Sequence, residues 1–206
     1  MVEIVRSLGL AWVPVRKVGT TSIRDAFRGL ASGPGDLRLT ADRSMTPDIR
    51  WRARGCWRFA VVRDPAARFL SAYRNRIHHH GDMEATRTHR ALTRALGLAA
   101  RPEIDEFIDR FWRYYWANDI LRRHFRPQIA YLGRDLGWYD RVYRLDEMAA
   151  LAADLSARAG REVEIARLQA EGPRLTPGDL TTRSRARLEA IVAADRAALA
   201  GVLLAG

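Results

Sequence analysis

Two short apolar runs, each broken by a turn that opens a helix, constrain this chain more than any other feature. Leu8 to Val13 reads as a buried strand. Pro14 ends it, and a glycine turn leads into Thr20 to Leu30, where Ile23, Phe27 and Leu30 recur on one helical face with Thr20 or Thr21 as N-cap. Trp57 to Val62 is a second run of the same kind, closed by Arg63-Asp64-Pro65. Asp64 as N-cap with Pro65 at the first helical position starts another helix. Tyr139 to Leu145 reads as a third strand, and Asp146 caps a helix running to about Ala159. Strands alternating with helices predict an α/β fold on a largely parallel sheet.

The stretches between these units are less regular. Ala31 to Arg54 is rich in Gly, Pro, Asp and Arg and reads mostly as loop, with room for a short element. Residues 76–102 read as a loop and a short helix. Glu103 to Trp116 predicts one amphipathic helix with Ile104, Phe107, Ile108, Phe111, Trp112 and Tyr115 inward, an aromatic stripe of core type. Val163 to Leu168 reads as extended, and Ser184 to Ala200 as a long helix. A length of 206 residues fits one domain, residues 1–206, with a real core.

The chain carries one lysine, Lys17, among 35 Lys and Arg residues. It lies in Arg16-Lys17-Val18-Gly19-Thr20-Thr21-Ser22, in the first strand-to-helix turn. An ammonium is a compact point charge, whereas a guanidinium is a broad fork. Beside a glycine and three hydroxyls, the small cation points to phosphate. A net charge of +11 and a pI near 10.9 likewise favour anionic ligands, and the arginines form no basic tail. The lone Cys56 excludes an internal disulfide and reads as a small buried residue. No secretory leader or membrane-length apolar stretch is evident, so a cytoplasmic protein is expected.

Two anion sites emerge. The first is the turn at residues 14–22, where a helix start offers backbone N–H groups, Gly19 permits close approach and Lys17 adds charge. The spacing is not that of a Walker loop, because the lysine precedes the glycine. The second is Arg63-Asp64-Pro65-Ala66-Ala67-Arg68-Phe69-Leu70-Ser71-Ala72-Tyr73, where Arg63 ends a strand and Ser71 lies two helical turns on. An arginine and a hydroxyl suit one phosphate. Two phosphate sites suit a nucleotide with phosphates at both ends of its ribose.

With these motifs the chain resembles the sulfotransferase superfamily that uses 3′-phosphoadenosine 5′-phosphosulfate (PAPS). It is most similar there to the carbohydrate sulfotransferase group, sulfotransferase family 2. The loop Val15 to Ser22 matches the family's 5′-phosphosulfate loop, although Pro14 sits three residues before the lysine. Residues 63–73 match its 3′-phosphate segment at every specified position. His124-x-x-Pro127-Gln128 and Tyr139 to Leu145 resemble later family segments more loosely.

The resemblance implies a three-layer, P-loop-like α/β fold and transfer of a sulfuryl group from PAPS to an acceptor hydroxyl, with no metal. Lys17 would stabilise the departing anion, with Arg16, Gly19, Thr20, Thr21 and Ser22 around the 5′-phosphate. Arg63 and Ser71 would bind the 3′-phosphate. His124 is the first choice for the base, and His78 of His78-His79-His80 the second; Asp82 and Glu84 stay open. The acceptor, whether glycan, lipid, small alcohol or peptide tyrosine, is not fixed by these motifs. No nucleic-acid partner is expected, because the aromatics follow core periodicity. The competing readings are a kinase-like phosphotransferase, which should show a Walker lysine and a magnesium aspartate, and a non-catalytic relative.

Overall fold

The computed structural model describes residues 2–33, 47–166 and 175–204. The chain divides into two compact units. The first comprises Met1–Arg63, Gln128–Glu171 and Ala198–Gly206, and the second Asp64–Pro127 and Gly172–Ala197.

The first unit carries a four-stranded sheet in the order β1 (Glu3–Val5), β2 (Leu10–Val13), β3 (Trp57–Val62), β4 (Arg141–Arg144). β2 pairs with β3, and β3 with β4, in parallel, while β1 lies antiparallel on β2. This is the α/β class with a mostly parallel sheet. Parallel pairing needs long crossovers, and the helices supply them. β2 leads through α1 (Thr20–Leu30) and α2 (Pro47–Arg52) to β3, and β4 leads to α9 (Met148–Ala159). β2 and β3 are apolar throughout their buried parts because both faces of such strands are covered. Trp12, Phe27, Phe59 and Tyr143 are fully buried, and Phe59 lies within 6.4 Å, centroid to centroid, of each of the other three rings. Arg58 and Asp140 tie β3 to the start of β4 through a two-pronged pair of 2.8 and 3.1 Å.

The second unit is helical: α3 (Pro65–Tyr73), a π-helical turn at Arg74–His79, α4 (Arg87–Ala95), α5 (Ile104–Asp109), α6 (Phe111–Ala117) and α7 (Asp119–Phe125), with much of α10 (Thr182–Leu203). Its core gathers Phe69, Tyr73, Phe107, Phe111, Tyr114 and Phe125. The short α8 (Ile129–Leu132) belongs to the first unit.

Several expectations shift. The helix predicted over Glu103–Trp116 is two helices, broken at Arg110, whose φ of −107° leaves the helical range. The break resets the helical phase, so Tyr114 turns inward and Trp112 is 56% exposed. The third strand covers only Arg141–Arg144, and a 3₁₀ turn, Leu145–Glu147, precedes α9. Glu147, rather than Asp146, closes that turn by accepting the Arg144 N–H at 2.7 Å. Residues 163–166 form no strand, and 167 and 168 lie outside the described residues. In the stretch Ala31–Arg54, Pro47–Arg52 is a short helical element of the kind expected there, and residues 34–46 lie outside the described residues. Cys56 is only half-buried; burial still pushes its thiol up, opposed by Arg6 and Arg58. No helix among the described residues is long and apolar enough to cross a membrane.

Candidate active site

The turn after β2 is built to present an anion-binding edge. Pro14 and Val15 are buried, and Arg16 and Lys17 are half-buried. Lys17 has φ 68°, the one non-glycine residue in the left-handed region among the described residues. That conformation is disfavoured for a side chain with a Cβ. Gly19 follows with φ 78° and serves as the N-cap of α1, in place of the threonine expected. The Thr20 hydroxyl donates to the Val15 carbonyl and closes the loop on itself. Its hydrogen is therefore committed, and Thr20 offers an anion its backbone N–H.

The N-cap Gly19 gives α1 no side-chain cap, and no acidic residue lies in its first turn; the helical ladder begins with Ile23 N–H to Gly19 O at 3.1 Å. An uncapped start with positive dipole character is a site for phosphate. A Cβ on Gly19 would come within 3.2 Å of Leu145 Cδ1, so the residue after β4 packs directly on the turn. Thr21 is exposed and Ser22 half-buried. The donor set fits a phosphate group.

Arg63 leaves the end of β3. Because β2 and β3 run parallel, with Val13 opposite Ala60, the Lys17 turn and Arg63 emerge from the same edge of the sheet. In open α/β sheets that carboxyl-terminal edge is where ligands bind. The backbone of Arg63 is gripped by one side chain: Gln128 Oε1 accepts its N–H at 3.1 Å, and Gln128 Nε2 donates to its carbonyl at 2.8 Å. Gln128 is fully buried.

In the second unit, Asp64 caps α3 as expected, accepting the Ala67 N–H at 2.8 Å, with Pro65 at the first position. Ser71 lies half-buried on the same helix. Arg68 is 5% exposed and serves the fold: it donates to the carbonyls of His124 at 3.2 Å and Arg126 at 2.7 Å, with Asp195 at 3.8 Å. The candidate base His124 places Nε2 3.2 Å from Nη1 of Arg76, and Nε of Arg76 lies 3.1 Å from Asp82. Burial pushes the Asp82 carboxyl up, and Arg76 opposes this most. Two of the base candidates, His124 and Asp82, are thus joined through Arg76, which no sequence motif marks.

His78 is exposed and shares a 2.8 Å hydrogen bond with the Tyr73 hydroxyl, while His79 and His80 are exposed too. Glu84 is exposed and Asp82 buried. Among the described residues, no group of three His, Cys, Asp or Glu side chains is placed to hold a metal ion.

A family model described as the sulfotransferase family matches residues 4–200. The chain belongs to the sulfotransferase family and is a sulfotransferase, which sets the phosphotransferase reading aside. No curated protein and no solved structure matches it.

Proposed function

We propose that this protein moves a sulfuryl group from PAPS to an acceptor hydroxyl, with carbohydrate as the acceptor class, and that residues 1–206 act as one sulfotransferase-like domain. The observation that carries the reading is the parallel pairing of β2 and β3, which sends the Lys17 turn and Arg63 out of one sheet edge. A donor nucleotide with phosphates at both ribose ends calls for two cationic sites of this kind.

When bound, PAPS supplies an activated sulfuryl group on a phosphate leaving group. The amides at the start of α1, with Arg16, Gly19, Thr20, Thr21 and Ser22, hold the 5′-phosphate end. Lys17 lies beside them, and its ammonium offsets the charge that develops on the departing phosphate. The guanidinium of Arg63 and the hydroxyl of Ser71 bind the 3′-phosphate. His124 takes the acceptor proton at Nε2 once the acceptor hydroxyl replaces Arg76 there. Carbohydrate is the first acceptor class to test, because the chain resembles the carbohydrate group; the two phosphate motifs themselves hold only the donor.

A thermal-shift comparison of adenosine 3′,5′-bisphosphate with ATP, AMP and NAD tests the donor. Stabilisation by the bisphosphate above the other three supports it, and equal or greater stabilisation by ATP overturns it. A transfer assay from PAPS to a panel of glycans, lipids and phenols then tests the acceptor class.

A further inference from the structure

We propose that Gln128 is the positioning residue for the 3′-phosphate arginine. The inference rests on the reading that Arg63 binds that phosphate. β3 ends its pairing with β4 at Val62 opposite Arg144, and Arg63 is the next residue along. A single buried side chain then meets both backbone groups of Arg63, by the two hydrogen bonds of 3.1 and 2.8 Å already described.

A side-chain amide offers a donor and an acceptor together in one plane, as a peptide unit does. Gln128 therefore acts as one extra residue of ladder at the end of β3. It fixes the peptide planes on both sides of the Arg63 Cα, and with them the direction in which the Arg63 side chain leaves the backbone. A carboxylate at position 128 keeps the acceptor and loses the donor. A thioether of similar length loses both. Gln128 touches no reacting atom in this scheme; it acts through Arg63.

The same contact gives the His124-x-x-Pro127-Gln128 motif a physical meaning. Pro127 lacks an N–H and restricts the residue before it, which settles the approach of the chain to Gln128.

The test is calorimetric binding of adenosine 3′,5′-bisphosphate and of AMP to the wild-type protein, Gln128→Met, Gln128→Glu and Arg63→Ala. AMP lacks the 3′-phosphate and so reports everything except the contacts that Arg63 and Ser71 make with it. In Gln128→Met the bisphosphate-to-AMP affinity ratio should fall by about tenfold or more, toward that of Arg63→Ala, with AMP binding within about twofold of wild type. Gln128→Glu should fall in the same direction.

A wild-type ratio retained in either folded variant overturns the positioning role. So does an equal loss of both ligands, which is the signature of a merely structural residue. If Gln128→Met does not fold, Gln128→Glu decides the question alone. A wild-type protein that fails to prefer the bisphosphate overturns the donor reading itself, and this role with it, and that outcome is visible before any variant is made.

Discussion

Nε2 of His124 accepts from Nη1 of Arg76 across 3.2 Å. The direction is fixed, because a guanidinium has no lone pair to give. In a neutral ring bonded this way the proton sits on Nδ1. For His124 to act as base at Nε2, the acceptor hydroxyl has to take the place of Arg76. Replacing Arg76 by Gln keeps a donor and removes a positive charge that opposes proton uptake. The acid limb of the kcat/KM profile should then move to higher pH, measured on protein shown to be folded. His124→Ala should lower turnover by about 10²-fold or more. A loss of tenfold or less, with an unmoved acid limb in Arg76→Gln, moves the role to another residue.

Lys17 couples function to strain. Its φ of 68° suits glycine better than lysine. Lys17→Gly removes that strain and adds freedom to the unfolded chain, two effects of opposite sign. Stability in chemical denaturation should stay level or rise by about 1 kcal/mol. Turnover should fall by about 10²–10³-fold as the ammonium is lost. A variant with wild-type turnover removes Lys17 from the mechanism.

The two arginines of the Arg63-to-Tyr73 segment should part company under mutation. Arg68 is buried against two carbonyls and Asp195, so Arg68→Met should cost about 3 kcal/mol or more of folding stability. Arg63→Ala should leave the melting temperature nearly unchanged and weaken bisphosphate binding by about 1.5–3 kcal/mol. Paired melting and calorimetry on both variants read the difference. Equal behaviour of the two contradicts the division of labour.

The Arg58–Asp140 pair predicts a pH signature. Hydrogen bonding to Arg58 holds the Asp140 carboxyl below the usual carboxylate range. A depressed folded pKa gives stability that is present above the unfolded value and lost as pH falls through the folded one. Wild type should therefore exceed Arg58→Ala near neutrality, and the gap should close in strong acid. Both partners are about one-third exposed, so the gap should be about 1 kcal/mol or less. Denaturation curves at several pH values check it.

What could be read from the sequence was what short-range chemistry dictates. Trp57–Val62 and the Asp64-Pro65 helix start follow from neighbouring residues alone, and both stand where expected. β1 escaped notice because three residues carry no period; it exists through pairing with β2 across a turn at Gly9. Periodicity alone places Trp112 inward, because it cannot register a break at Arg110. In the site, Lys17 stands out as the one lysine, whereas Gln128 belongs to a motif that gives it no evident task. Its partner is 65 positions away in the chain, and only folding brings the amide to Arg63. Arg76 had no local mark, since its meaning lies in His124 and Asp82.

β1 has one more consequence. Its fully buried Glu3 receives Arg24 of α1 at 2.8 Å, and the strand covers one side of β2 from Leu10 to Trp12. Were residues 2–5 clipped off, the bare flank of β2 would offer unpaired amides and carbonyls to a neighbouring chain. Trimmed preparations should therefore oligomerise or precipitate where the full chain stays dispersed, which makes these few amino-terminal residues a guard against self-association.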